Sequence, residues 1–325
     1  MSNSIDTSEC YFVSAWTSLK IGGVDCVDFL NRLLTLDIHH LEVGCGSWAF
    51  LLDHRGRVVE SIFLLREAVD QFIAVSETGA DLLYQSLDQF LFAEAIELTL
   101  LEQHICIYLK GSFDDLRLTN GFKIDLFGSS DEGLLIVESQ NREGMATQLK
   151  SRGGLELDAP HFEALRLSVA GALPSQEYDN ISPLDVSLKG ISEGKGCYPG
   201  QEVIERTLAL GKPARVTKGI QLIGSLERLI ELIQAFDAEI KVEVIEQVVD
   251  PEGQPQETIL KSMGHLTSIT PLSCIEIGNG EEGVIDSVDA SIKAIAQVKR
   301  KIALSTTVYL RVGTTIYSDL DILLG

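Results

Sequence analysis

The segment KGCYPGQEVIERT, residues 195–207, constrains the fold of this chain more than any other stretch. Gly194, Gly196 and Gly200 surround a proline here, and glycine allows sharp turns and close backbone approaches that a side chain would block. A thiol and several polar side chains share the same turn. Composition alone leaves two interpretations open, a functional site or a Gly-Pro turn around a buried structural cysteine.

The side chains of this segment match the requirements of a reactive site. A neighbouring cation lowers the pKa of a thiol and favours the reactive thiolate, and Lys195 stands two positions before Cys197. Gln201 supplies an amide partner. Arg206 and Arg215 are candidates to receive an anionic tail through charge-assisted hydrogen bonds.

Charge narrows the class of ligand. The chain has 325 residues, which suits two or three domains, and a net charge of −22. Binding to nucleic acid needs clustered Lys and Arg, so a direct nucleic-acid interface is not expected. A small anion in a local basic pocket remains compatible with this charge.

The expected compartment is the cytoplasm. The N-terminal MSNSIDTSECYF lacks the basic and apolar regions of a secretory signal, and no uncharged apolar run approaches the ~18 residues of a membrane span. The six cysteines are dispersed without a CxxC pair, which is typical of reduced thiols. We therefore expect no membrane contact and no disulfide framework.

Hydrophobic periodicity predicts an α+β fold with largely antiparallel sheets. A helix is predicted after a capping Asp25, and a hairpin around DHRG at residues 53–56. Further helices are predicted at 159–169 and 225–236 from their apolar spacing. Short strands with glycine turns after residue 215 indicate a small barrel or sandwich.

Three other kinds of site find little support. GNGEEG at 278–283 matches a dinucleotide motif, but its two glutamates would face the phosphates, so Asn279-Gly280 is better interpreted as a hairpin turn. No pair of His or Cys has metal-ligand spacing, and no metal is predicted. The G-x-S-x-G elbow of a serine hydrolase is absent from the sequence.

KGCYPGQE resembles the K-G-C-Y-x-G-Q-E signature of the YgfZ family of folate-binding proteins, which are related to the T-protein (aminomethyltransferase) of the glycine cleavage system. Four flanking segments agree with the same family pattern. They are FLNRLLTLDI with Thr35 and Asp37, LLDHRGRVVESIFLLR, LRLSVAGALPSQEYDNISPLDV, and GHLTS at 264–268, which resembles a turn of the C-terminal domain.

The resemblance implies a T-protein-like, three-part ring with a C-terminal β-barrel. Residues 1–215 would form the folate-binding α+β region, with subdomains at approximately 1–50 plus 155–215 and at 51–154. Residues 216–325 would form the barrel. A central channel would hold tetrahydrofolate or a one-carbon derivative.

The resemblance also assigns roles to side chains. A carboxylate at Glu177 would pair with the adjacent donors of the pterin. Cys197 matches the signature cysteine, which the family associates with the maintenance of iron–sulfur proteins, including an enzyme of tRNA methylthiolation. The residues that we assign to folate are Glu177, Arg166, Lys195, Tyr198, Gln201 and Arg206.

Three functional hypotheses follow. The first is a cytoplasmic tetrahydrofolate-binding protein that supports iron–sulfur protein assembly or repair, with iron–sulfur proteins as partners. The second is an enzyme, a folate-dependent aminomethyl or one-carbon transferase. The T-protein carries paired aspartates where this chain has Glu60-Ser61, and it lacks the signature, which weighs against the second hypothesis. The third is a scaffold without chemistry.

Overall fold

The computed structural model describes most of the chain, in segments separated by short gaps. The described residues are 9–76, 79–111, 113, 121–124, 131–168, 181–186, 189–211, 213, 215–249, 255–274, 276–277, 289–299 and 308–324. Glu177 and the predicted Asn279-Gly280 hairpin turn lie outside these residues.

The chain divides into two compact units. The signature unit comprises Asp6–Asp158 and Ala172–Lys212, and the C-terminal unit consists mainly of Ala159–Gly171 and Pro213–Gly325. The signature unit contains the segment at 195–207, so its architecture determines the setting of the candidate site.

Helices and strands interleave along the chain, and in the described residues the strand pairs are antiparallel except for β1 with β10, which is parallel. This confirms the predicted α+β class. The helices are α1 (Cys26–Leu33), α2 (Ala80–Asp88), α3 (Arg142–Ser151), α4 (Ala159–Ser168), α5 (Gln201–Ala209) and α6 (Leu226–Asp237). The strands are β1 (Cys10–Ser14), β2 (Thr17–Gly22), β3 (Gly46–Leu52), β4 (Val58–Ala68), β5 (Gln71–Ser76), β6 (Glu97–Leu100), β7 (His104–Lys110), β8 (Gly121–Lys123), β9 (Glu132–Glu138), β10 (Leu155–Leu157), β11 (Arg215–Ser225), β12 (Val242–Val249), β13 (Pro255–Ile269), β14 (Glu276–Ile277), β15 (Asp289–Lys299), β16 (Val308–Val312), β17 (Thr315–Tyr317) and β18 (Asp321–Leu324).

Sheet I of the signature unit has the strand order β3-β4-β5-β2-β6. Helices α1 and α2 cover one of its faces, since Phe29, Leu30 and Leu83 share a buried cluster with Ile62 and Leu64 of β4. The predicted hairpin is confirmed, because β3 and β4 pair in antiparallel register on either side of the DHRG turn. Because β4 packs against α1 in this cluster, the hairpin lies beside α1.

The start of α1 shows how tertiary contacts override a local pattern. Asp25 occupies the N-cap position as predicted, but its side chain makes no capping hydrogen bond. The carboxylate instead accepts a hydrogen bond from the backbone N–H of Ala95, at 2.7 Å. Asp25 therefore ties α1 to the segment before β6, and the predicted capping bond is wrong.

Sheet II of the signature unit has the order β10-β1-β7-β9-β8. Leu149 of α3 packs against Tyr11, Ile107 and Leu135 on one face of this sheet. A Cβ placed on Gly46 of β3 would lie 3.4 Å from Ile124, just after β8, so the two sheets are in contact. The signature unit is thus layered as helices, sheet, sheet and helix.

Sheet III forms the core of the C-terminal unit, in the order β17-β16-β12-β13-β15-β11-β18, with β14 paired to β15. Leu229, Leu232 and Ile233 of α6 fill one side of its core. In the described residues the two outermost strands, β17 and β18, do not pair with each other. The predicted barrel is therefore an open, curled sheet in this part of the chain.

The GHLTS segment is not a turn. Residues 264–268 lie within the long strand β13, and the pairing with β15 shifts register between Leu266 and Ser268. A β-bulge of this kind inserts one unpaired residue and bends the strand. The motif therefore marks a bulge, which a sequence pattern of small and polar residues does not distinguish from a turn.

No helix in the described ranges is both long enough and apolar enough to cross a membrane.

Candidate functional site

Residues 189–200 form a loop, here called the signature loop, and helix α5 follows it. Gly200 is the N-cap of this helix and adopts the left-handed conformation, with a φ of 77°. A Cβ at this position would lie 2.5 Å from the carbonyl oxygen of Asp53, in the DHRG turn. Glycine is thus required twice over, by the backbone angle and by the close approach of the neighbouring chain.

The DHRG turn is itself ordered around a carboxylate. Asp53 accepts hydrogen bonds from the backbone N–H groups of Arg55 and Arg57, at 2.8 and 2.9 Å. Burial raises the pKa of Asp53, but these two bonds and the charges of His54 and Arg55 together outweigh it, so the pKa lies below its usual value. The carboxylate remains ionised at neutral pH, which preserves the turn that packs against Gly200.

Thr35 connects a second motif to the signature loop. Its buried hydroxyl donates to the carbonyl oxygen of Gly190 at 2.5 Å and accepts from the N–H of Phe50 at 3.1 Å. Its backbone carbonyl accepts from the N–H of Ser192 at 3.0 Å. The hydroxyl of Ser192 in turn accepts from the N–H of Asp37 at 2.9 Å. The strand β3, the Thr35 segment and the signature loop are therefore one hydrogen-bonded network.

Asp37 lies at the edge of this network. It accepts hydrogen bonds from the N–H of His39 at 3.0 Å and from the ring of His40 at 2.8 Å. Burial raises the pKa of Asp37, but the hydrogen bonds and the charges of His40 and His39 together have the larger effect and bring it below the usual value. Asp37 thus orders its own turn as a carboxylate.

Lys195 closes the loop onto α1. Its ammonium donates to the backbone carbonyl oxygens of Asn31, at 2.7 Å, and Leu36, at 2.8 Å, and to that of Leu34. An ammonium group has three N–H donors, so all of them are used. These carbonyls include groups at the end of α1 that lack partners within the helix. The contacts give Lys195 the role of a helix-ending side chain rather than that of a free cation.

Burial affects the ionisation of this lysine. It lowers the pKa of Lys195 to about 8, while the nearby Asp37 carboxylate acts in the opposite direction. At neutral pH the side chain is therefore largely protonated, as three carbonyl acceptors require. The ammonium also lies 5.3 Å from the centroid of the Tyr198 ring, a cation–π distance.

Cys197 is exposed and lies between Lys195 and Gly200, whose contacts fix the loop. The interpretation of the segment as a turn around a buried structural cysteine is therefore wrong. All six cysteines are described, and Cys197 is the one exposed thiol among them, since the others are buried or partly buried. An accessible thiol on a loop fixed at both ends can meet a partner without a large rearrangement.

Gln201 and Arg206 lie on α5, next to the loop. The amide of Gln201 donates to Glu205 at 2.6 Å. Arg206 is exposed, and its guanidinium makes no hydrogen bond or ion pair with a residue in the described ranges. Arg206 is thus a cation of the signature unit that is open to an anionic ligand.

Arg166 belongs to the other unit. It is fully buried on α4, where it donates to Glu163 and, at 2.7 Å, to the hydroxyl of Ser268 on β13. These contacts join α4 to sheet III. The proposed contacts of Arg166 and Glu177 with folate stay predictions, the second because Glu177 lies outside the described residues.

The structure adds residues that sequence analysis did not single out. Gly190 and Ser192 contact Thr35 directly, and a Cβ on Gly190 would lie 2.6 Å from the carbonyl oxygen of Trp48. Gly190 could have been noticed from the sequence, because it is one more glycine shortly before the signature. Among the described residues, no three His, Cys, Asp or Glu side chains converge in a way that could hold a metal ion.

Known proteins share this fold. The glycine cleavage system aminomethyltransferase T from Bartonella henselae superposes with a TM-score of 0.65 at 17% identity, covering 95% of this chain and 83% of that protein. The predicted T-protein-like α+β fold is therefore confirmed. No protein-family model matches the chain.

One curated relative matches part of the chain. The Arabidopsis thaliana protein named "Putative transferase At1g60990, chloroplastic" is 23% identical over 231 residues, covering 60% of this chain and 52% of the relative. The chain thus spans about half the length of that relative. The structural match alone places the chain among T-protein-like folds.

We expect Lys195→Met to destabilise the protein by about 1–3 kcal/mol, because backbone carbonyl groups lose their donors. Lys20→Met is the matched control, since Lys20 makes a partly exposed ion pair with Glu67 that is worth at most ~1 kcal/mol. Urea unfolding measures both free energies. Equal stability of the two variants would contradict the helix-ending role of Lys195.

Proposed function

We propose that this chain is a YgfZ-type protein that binds tetrahydrofolate or a one-carbon derivative and supports the assembly or repair of iron–sulfur proteins in the cytoplasm, and thereby tRNA modification. The observation that carries the proposal is the exposed Cys197 on a loop that the Thr35 network and Lys195 fix in position. The T-protein-like fold supports the folate part, since the resemblance of the signature implies this ligand.

Charge indicates which residue binds the glutamate tail of the folate. The glutamate of tetrahydrofolate is anionic, and the chain as a whole carries −22, so binding needs a local cation. In the signature unit the ammonium of Lys195 is fully used by backbone carbonyls, whereas Arg206 is exposed and has no such partner among the described residues. We therefore propose Arg206 as the anchor of the tail and Glu177 as the partner of the pterin.

The role of Lys195 changes accordingly. As a side chain that contacts α1, it would position the loop that carries Cys197 and Tyr198 rather than bind the ligand itself. The thiol would then act on a partner protein, a cluster or a one-carbon adduct from a fixed loop.

The transferase hypothesis is the second candidate, because both comparison proteins are named as transferases. Glu60 of β4 is a buried carboxylate, 8% exposed, whose strand partner Leu51 also bridges to Leu34 next to Thr35. Turnover of methylene-tetrahydrofolate with an amine acceptor, lost in Glu60→Gln, would establish this candidate in place of the first.

Tetrahydrofolate should bind the purified protein and raise its unfolding temperature, because a ligand of the folded state alone stabilises it by mass action. Arg206→Gln should weaken binding about tenfold, the loss of a charge-assisted hydrogen bond, and Glu177→Gln should weaken it too. Arg142→Gln, an exposed arginine on α3, controls for the change in net charge. Titration calorimetry without heat, together with an unchanged unfolding temperature in millimolar ligand, would exclude folate.

Cys197→Ser should retain tetrahydrofolate affinity but fail to restore iron–sulfur enzyme activity in a deletion strain. The thiolate is the reactive form of cysteine, and a serine hydroxyl does not replace it. Cys274→Ser, in the C-terminal unit, is the matched control and should restore activity fully. Full restoration by Cys197→Ser would favour the scaffold hypothesis instead.

A further inference from the structure

A cleft lies between the signature loop and helix α5, with a cavity volume of about 220 Å³. Ile191 lines one wall, and Ile204 and Leu208 line the other, one helical turn apart. Tyr198 also lines the cleft, while Glu193 and Glu205 contribute carboxylates. The cavity thus combines apolar walls with polar groups, as small-ligand sites do.

Tyr198 is the first sign of a ligand. The residue is 8% exposed, and its hydroxyl makes no hydrogen bond to any residue within the described ranges. Burial raises the pKa of Tyr198 to about 12, and the charge of Glu205, which also lines the cleft, adds to the rise. The oxygen itself is not among the fully enclosed, unpartnered polar atoms of the described residues, so the hydroxyl is open to the cleft and can bond a group that enters it.

The carboxylates give the second sign. Glu193 and Glu205 are both exposed, and neither forms an ion pair with a basic residue in the described part of the chain. Glu205 accepts one hydrogen bond, from Gln201 at 2.6 Å, which leaves its other oxygen available. Arg206 cannot pair with these carboxylates inside the cleft. Successive helical residues are about 100° apart, so Arg206 projects away from Ile204, which lines the cleft.

The charge of the cleft excludes the tail of a folate. Two carboxylates would repel the anionic glutamate, and Lys195, the nearby cation, has its three N–H groups bound to carbonyls. The cleft instead matches a group with a positive, donor-rich head and an apolar stem.

We propose that this cleft binds an alkylguanidinium or alkylammonium group, with its stem against Ile204 and Leu208 and its head between Glu193, Glu205 and the Tyr198 hydroxyl. An arginine or lysine side chain of a partner protein carries this chemistry, and so does a free aliphatic amine. Because Cys197 directly precedes Tyr198 in the chain, a bound cation lies beside the thiol-bearing loop. The proposal does not depend on folate binding.

The test uses the full chain with labelled isoleucine and leucine methyl groups, and butylguanidinium as the probe. Butylguanidinium should shift the methyl signals of Ile191, Ile204 and Leu208 at physiological salt, whereas neutral butylurea and anionic butyrate should not. Equal shifts with butylurea, or no shift with millimolar butylguanidinium, would overturn the proposal.

Two double variants test whether butylguanidinium binding depends on the carboxylates of the cleft or on the net negative charge of the chain. Glu193→Gln combined with Glu205→Gln should weaken butylguanidinium binding about fivefold, the size expected when exposed charge pairs worth up to ~1 kcal/mol are lost. Glu97→Gln combined with Glu143→Gln makes the same charge change at exposed sites elsewhere in the signature unit and should leave affinity unchanged. Equal weakening by both pairs would contradict a specific site.

Two further arms identify the source of the cation and its relation to folate. Acetyl-Gly-Arg-Gly-amide should bind as well as butylguanidinium if a protein side chain is the natural ligand; failure of this peptide alone assigns the cleft to a free amine. Saturating tetrahydrofolate should leave butylguanidinium affinity unchanged. Competition between tetrahydrofolate and butylguanidinium would show that the cleft is part of the folate site and would overturn its assignment to a cation. If the protein binds no folate at all, the result for the cleft still stands.

Discussion

The hydrogen bonds of Thr35 are the constraint on which the candidate site depends. One buried residue pairs with Phe50 through both its N–H and its hydroxyl, and with the signature loop through its hydroxyl and its carbonyl. The partners in the loop, Gly190 and Ser192, are more than 150 residues away in sequence, with a separation of 155 between Thr35 and Gly190. These bonds fix the loop that carries Cys197 relative to strand β3, together with the close approach of Gly190 to Trp48.

Lys195 and Gly200 complete the same arrangement from the other side. The ammonium of Lys195 ends helix α1 and the absence of a side chain at Gly200 allows the DHRG turn to approach helix α5. Lys195 and Gly200 thus hold the loop in place on either side of the exposed Cys197 thiol. Two groups stay available to ligands, the guanidinium of Arg206 on one side of α5 and the Tyr198 cleft with its carboxylates on the other.

Local features of the sequence predict local structure well. The hairpin around DHRG and the amphipathic helices are confirmed, since turn chemistry and apolar spacing act within a few residues. Features set by distant contacts are not predicted: Asp25 bonds Ala95 instead of capping α1, and GHLTS is a bulge in β13. The acceptors of Lys195 are 159 to 164 residues away, so only its charge, and not its role, is visible in the sequence.

Hydrogen exchange of Thr35→Val tests most directly whether these motifs form one cooperative unit. Valine removes the hydroxyl but keeps the branched shape, and the loss of its bonds is worth about 1–2 kcal/mol, or roughly tenfold in exchange rate. The account predicts that the amides of Phe50, Ser192 and Asp37 exchange faster together, by a similar factor, while those of sheet II are unchanged. Faster exchange at Phe50 alone would contradict it, because the signature loop would then be held independently of Thr35.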